Sequence, residues 1–223
     1  WVRDELQAKN IRDTRINGKY LPNIQIQEEI IVSSDIEEVL FDSNTVLLAV
    51  PSQKVREVLK KVQIRENTLI INAVKGIEKG TLNTISEIVK QETKSKHYVM
   101  LSGPSHAEEV AQQMPTAIVA ASQDEKIAKH VQEIFMLPYF RVYTNSDVRG
   151  VELGGALKNV IALGAGISDG IGYGDNAKAA LMNRGIIEIS RLGEKLNAER
   201  NTFFGLTGIG DLIVTCTSMH SRN

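Results

Sequence analysis

Lys158 is the only charge on one face of an otherwise small and apolar segment, Gly150 to Gly166 (GVELGGALKNVIALGAG). At helical spacing, Val151, Gly154, Gly155, Lys158, Ile161, Ala162 and Ala165 share that face. An ammonium stripped of water has a lowered pKa and can exchange a proton near neutral pH. Gly154 and Gly155 each weaken a helix by up to about 1 kcal/mol relative to alanine. Their presence implies that another backbone or a ligand comes close. The competing reading of Lys158 is a snorkelling lysine that buries only its stem.

Three further sites carry residue types suited to an anionic, carbonyl-bearing ligand. Lys75 follows the run LIINAV and precedes Gly76, so a cation stands where a phosphate can be held or a carbonyl polarised; it can equally be a solvated lysine. In Ser102-Gly103-Pro104-Ser105, Gly103 removes a side chain where a ligand approaches and Ser105 offers a hydroxyl, although the segment can also be a plain loop. Pro51 closes the run VLLAV, as a strand terminator first and as an apolar wall for a flat ring second. Near the end of the chain, Asp211 is either a helix N-cap or the group that orients a lysine or a substrate hydroxyl. Thr215 lies one turn further along the same side, and Arg222 with Asn223 offers a planar cation and an amide suited to phosphate.

The elements that position these residues can be read from periodicity. A polar segment of helical spacing follows Trp1-Val2-Arg3-Asp4 and ends near Tyr20-Leu21-Pro22. Apolar runs at 46–50, 69–74, 98–102, 116–121 and 140–144 fit strands buried on both faces of a sheet. Val55, Val58, Leu59 and Val62 recur at helical spacing between the first two runs, and Leu82, Ile85, Ile88 and Val89 do so between the next two. This alternation predicts a doubly wound α/β sheet, in which ligands bind beyond the carboxyl ends of the strands. From about Ser146 helical spacing takes over, with helices expected over 147–165, 177–196 and after Asp211. A boundary near residue 146 follows. Glycine-rich stretches at 170–174 and 205–210 follow no strand and are rejected as dinucleotide fingerprints.

With 223 residues and 42% hydrophobic content the chain can build one or two cores. A net charge of −1 lacks the basic balance of a nucleic-acid binder. No apolar run nears the roughly 20 residues of a membrane span. The single cysteine, Cys216, permits no internal disulfide and points to a reducing cytoplasm. His97, His106, His130 and His220 lack metal-ligand spacing, so no metal site is expected. Trp1 in place of methionine, and Asn223 directly after Ser-Arg, lead to the expectation of an internal piece of a longer chain.

Several segments together carry a family resemblance. KGIE from Lys75, SGPSHAEEV from Ser102, PTAIVAAS from Pro115, FRVYTNSDVRGVELGGALKNVIALGAG from Phe140 and GLTGIGDLIVTCTSMHSRN from Gly205 resemble the bacterial NAD(P)-dependent glycerol-3-phosphate dehydrogenases, in order and over essentially the whole chain. The resemblance implies an α/β plus all-α fold. A partial Rossmann-type doubly wound sheet over 1–146 would bind NAD(P). An incomplete helical domain over 147–223, like the C-terminal domain of 6-phosphogluconate dehydrogenase, would bind substrate.

By resemblance, Lys158 is the proton acceptor when glycerol 3-phosphate is oxidised and the donor in reverse, and Lys75 contacts both cofactor and substrate. Gly103 and Ser105 bind substrate, and Ala107 touches the cofactor. Asp211, Ser221, Arg222 and Asn223 line the substrate site, Arg222 also reaching the cofactor, and Thr215 matches a threonine beside the catalytic lysine. Arg3 falls just after the family's second strand, at the adenosine ribose, where a cation suits the 2′-phosphate of NADP as well as NAD. The implied product supplies phospholipid synthesis; the partner is a small phosphate substrate, and a homodimer is compatible. The family's first strand, glycine-rich turn and helix would precede Trp1, and further helices would follow Asn223, so the segment alone is expected to bind cofactor poorly. A related dehydrogenase of another hydroxy acid, such as a β-hydroxyacid or 6-phosphogluconate enzyme, and a non-catalytic protein on the same scaffold remain the alternatives.

Overall fold

The computed structural model describes residues 1–218. Its first helix, α1 (Glu5–Thr14), starts where the Asp4 carboxylate accepts from the Gln7 N–H at 2.8 Å. It stops at Arg15, which takes a left-handed conformation (φ 55°). The chain then reverses through Asn17–Tyr20 to form an antiparallel ribbon of β1 (Ile16–Asn17) and β2 (Leu21–Gln25). The helix therefore ends well before the expected Tyr20-Leu21-Pro22, because the stop comes from the backbone at Arg15 and not from the proline. Trp1 and Val2 belong to no strand, although one was expected just before Arg3. The backbone N–H of Val2 instead donates to Ser33 O at 2.9 Å. A short helix, α2 (Ile36–Leu40), is capped by Asp35.

The main sheet follows. Strand β3 (Thr45–Leu48) leads through a 3-10 turn at Ser52–Lys54 into α3 (Val55–Leu59) and β4 (Leu69–Asn72). Helix α4 (Ile85–Glu92) begins at a capping box in which Thr84 and Glu87 satisfy each other's backbone groups. Leu82, read as its first apolar position, lies instead in the preceding turn with φ 61° and is exposed. Next come β5 (His97–Ser102), α5 (Ala107–Ala111), β6 (Thr116–Ala121), α6 (Glu125–Phe135) and β7 (Phe140–Asn145).

The strands lie in the order β3-β4-β5-β6-β7. Neighbours run parallel except β5 and β6, which are antiparallel, so the sheet is mixed. The reason is local. The β5–β6 connection makes only the short α5 and re-enters the sheet beside the end it left, with Ser102 opposite Val119. Residues 69–72, 99–102 and 118–121 are buried on both faces, as expected. The outer strands β3 and β7 are less buried than the central ones.

Helices build the remainder. Helix α7 (Val148–Gly170) is capped by Asp147, which also accepts from Thr202 Oγ1 at 2.7 Å and from the Glu199 N–H at 2.8 Å. Helix α8 (Asp175–Lys195) packs along it. A 3-10 turn at Arg200–Phe204 and a π turn at Leu206–Gly210 lead into α9 (Asp211–Thr217). The glycines at 170–174 join α7 to α8, and those at 205–210 occupy the π turn and its approach; neither set follows a strand.

Leu153, Ala162, Ala165, Ile186, Ile189, Phe203 and Leu212 form the core of this part. Phe203 is fully buried, and its ring fills the space that a side chain at Gly193 would need. Phe203→Ala is expected to lower stability by about 3–5 kcal/mol, to be read by urea unfolding. Among the described residues, no helix is long and apolar enough to cross a membrane.

Candidate active site

Helix α7 packs against β5 and β6, and Lys75 and Gly103 follow the carboxyl ends of β4 and β5. From the end of β4, the side chain of Lys75 reaches across the sheet edge. Its Nζ donates to Gly103 O at 3.0 Å and to Asp211 Oδ2 at 2.6 Å. From α7, Lys158 Nζ donates to Asp211 Oδ1 at 2.5 Å and to Thr215 Oγ1 at 2.6 Å. The Thr215 hydroxyl in turn donates to the Asp211 carbonyl oxygen, one turn back, at 2.6 Å. Asp211 thus bridges two lysines drawn from different layers. Gly210 takes the N-cap position, so Asp211 is the first residue of α9 and not its cap.

Burial decides between the two readings of Lys158. A snorkelling lysine keeps its head in water, whereas Lys158 is 6% exposed and its ammonium is engaged by protein. Burial pushes its pKa below the ordinary lysine value, and the nearby Lys75 charge pushes it the same way, while Asp211 opposes both. Two ammoniums sharing one carboxylate leave a surplus positive charge, suited to an alkoxide or a phosphate.

The glycines of α7 explain how the layers approach so closely. A Cβ at Gly154 would stand 2.7 Å from Thr207 O, so this glycine admits another backbone. A Cβ at Gly155 would stand 3.0 Å from Ser102 Oγ and 3.4 Å from Lys75 Cγ, so this one makes room for the Lys75 stem.

Lys75, Gly103, Lys158, Asp211 and Thr215 are therefore brought together. Ser105 is exposed at the rim and donates to Gly103 O at 3.2 Å. Ala107 opens α5 on the exposed side, and Pro51 is exposed where β3 ends. Arg3 is exposed just ahead of α1, and no hydrogen bond or ion pair among the described residues ties it to the cluster. Ser221, Arg222 and Asn223 lie outside the described residues.

Sequence reasoning missed Glu152, which is 3% exposed and accepts from the Ser86 N–H at 2.8 Å, Ser86 Oγ at 2.6 Å and the Tyr98 hydroxyl at 2.8 Å. It also missed Asn72, buried at the end of β4 and bonded to Tyr98. A signal for Glu152 was present, since it is the only other charge in the Gly150 to Gly166 segment.

The sheet edge fits a flat nucleotide ring. Ser102 Oγ is buried there with no hydrogen-bond partner among the described residues. Gly76 and Gly103 both have positive φ, and a Cβ on either would press on Ser52 or on the Ile118 backbone, leaving bare main chain at the strand ends. Such a sheet, with a desolvated lysine laid over its edge by a following helical layer, has a Rossmann-like architecture.

Comparison with known proteins narrows the class. Residues 1–128 match the NAD-dependent glycerol-3-phosphate dehydrogenase N-terminus, and residues 147–223 match the C-terminus of the same family. The glycerol-3-phosphate dehydrogenase, NAD(P)+, of Clostridium acetobutylicum is 54% identical over the whole chain, which spans 68% of that protein. A crystal structure of glycerol-3-phosphate dehydrogenase from Coxiella burnetii superposes with a TM-score of 0.95 at 36% identity, covering all of this chain and 69% of that one. The Saccharomyces cerevisiae enzyme does so with a TM-score of 0.83 at 29% identity, covering 95% of this chain and 64% of that one. The chain belongs to the NAD-dependent glycerol-3-phosphate dehydrogenase family.

Proposed function

We propose that the Lys158–Asp211–Lys75 cluster is the catalytic centre for reversible oxidation of sn-glycerol 3-phosphate to dihydroxyacetone phosphate with NAD(P). The observation that carries this is the buried Lys158 ammonium, held by Asp211 and Thr215 at the sheet's carboxyl edge. Bound NAD(P) supplies the hydride acceptor or donor at carbon 4 of its nicotinamide. Lys158, in its neutral form, takes the proton from the carbon-2 hydroxyl as hydride leaves, and in the reverse direction its ammonium returns that proton to the developing alkoxide. Asp211 and Thr215 fix the direction of Nζ, and the Lys75 charge stabilises the oxyanion.

Gly103 and Ser105 border the substrate. Ser221, Arg222 and Asn223 are assigned to the substrate as well, with Arg222 and Asn223 on its phosphate. Pro51, Lys75, Ala107, Arg3 and Arg222 are assigned to the cofactor side, Arg3 at the ribose, where it admits NADP or NAD. Residues 1–146 form the cofactor-binding unit and 147–223 the unit that carries Lys158; β7 ends and α7 begins at this junction. The free, buried Cys216 fits a reducing cytoplasm.

The test is nicotinamide absorbance with the intact protein. Oxidation is expected with glycerol 3-phosphate and not with glycerol or with phosphate-free hydroxy acids. Equal rates on a phosphate-free substrate would refute the assignment. Arg222→Ala should raise KM for the phosphate substrate by about tenfold or more with a smaller change in kcat; an unchanged KM would remove Arg222 from the phosphate site.

A further inference from the structure

Glu152 stands on α7 six residues before Lys158, buried, with no cation paired to it among the described residues. A carboxylate in that position is costly, and a hydrophobic side chain would pack there at lower cost. Three donated hydrogen bonds offset the cost, from the Ser86 N–H, the Ser86 hydroxyl and the Tyr98 hydroxyl. Burial still raises its pKa above the usual carboxylate range.

The contacts run on from there. The Tyr98 hydroxyl accepts from Asn72 Nδ2 at 2.9 Å. Asn72, fully buried, then grips the next-but-one peptide: its Oδ1 accepts from the Val74 N–H at 2.9 Å and its Nδ2 donates to Val74 O at 3.2 Å. Val74 leads directly into Lys75. We propose that Glu152 is a positioning residue which, through Tyr98 and Asn72, sets where Lys75 stands relative to Lys158. The proposal rests on the cluster being the catalytic centre described above.

Two features support transmission over mere packing. Each link is a directional bond among buried or half-buried groups, so displacing one shifts the next. The links also join the two elements whose separation matters: α7, which carries Lys158, and the β4 terminus, which carries Lys75. Gly155, just after Glu152 on α7, is where the Lys75 stem passes.

The test uses the intact enzyme and two conservative variants. Tyr98→Phe keeps the ring and removes the hydroxyl that connects Glu152 to Asn72. Glu152→Gln keeps an oxygen to accept from Tyr98 and the Ser86 N–H, and its amide can donate to the Ser86 hydroxyl. The groups facing Lys158 are Lys75 from the end of β4 and Asp211, Thr215 and Cys216 from α9, so Lys75 supplies the cationic neighbour among them.

With Lys75 displaced, the Lys158 pKa rises. Tyr98→Phe is therefore expected to lower kcat for glycerol 3-phosphate oxidation by about tenfold and to move the rising limb of its pH profile to higher pH. Glu152→Gln should retain most of the wild-type rate and an unmoved limb. A Tyr98→Phe enzyme whose limb does not move, whatever its melting point, overturns the positioning role while leaving the catalytic centre standing. A wild-type enzyme with no glycerol 3-phosphate turnover overturns the centre and the positioning together.

Discussion

Lys158→Ala is expected to lower kcat by about a hundredfold or more in both directions, in line with the loss of a general acid–base, while cofactor affinity changes far less. The fold should survive, because Asp211 keeps Lys75 as its partner. The pH dependence follows from the direction of the Lys158 shift. Oxidation needs the neutral amine, so wild-type kcat should rise with pH through a value below the ordinary lysine pKa, where burial and Lys75 place it. Reduction needs the ammonium and should fall across the same limb. In the alanine variant both limbs disappear. Measured kcat against pH in each direction, with near-normal turnover in the variant, would remove Lys158 from the chemistry.

Asp211→Asn should be the more destructive change, because it removes the only carboxylate bonded to either lysine among the described residues. The side chain keeps its shape, but two ammoniums then face each other with no counter-ion, Lys158 in a buried site. Breaking a buried pair in this way costs about 3–5 kcal/mol. The sign of the pH effect is fixed by the Lys158 pKa, which falls further without Asp211. A lysine whose folded pKa lies below its unfolded value destabilises the fold at low pH, and that penalty shrinks as pH rises from the folded toward the unfolded value. The deficit between variant and wild type should therefore narrow from pH 7 toward pH 10 in urea unfolding at both. Turnover should fall as well, because Asp211 fixes the direction of the Lys158 Nζ. A variant of wild-type stability at pH 7 would mean that Asp211 does not hold these charges.

Much of this site could be read from the sequence because its signals are local. The Lys158 face of α7 is a repeat of small and apolar residues, and Gly154 and Gly155 announce a close approach by being poor helix formers. The central strands are continuous apolar runs, and their ends coincide with Lys75 and Gly103. What escaped depends on distant partners. The reversal of β6 is set by where α5 sits, and Leu82 matched the helical period although the capping box at Thr84 marks the true start. The charge of Glu152 in an apolar segment is visible in the sequence, but Ser86 and Tyr98, which satisfy it, lie far away in the chain. The left-handed stop at Arg15 has no glycine to mark it.

Because Lys75 departs from a strand and Lys158 from a helix of the other layer, neither half of the molecule holds the pair by itself. Under the proposed function, turnover is a reporter of tertiary assembly. A chain whose helices have formed but have not seated on the sheet would keep its circular dichroism and be catalytically silent, so regain of activity on refolding should track the docking step and not the growth of secondary structure.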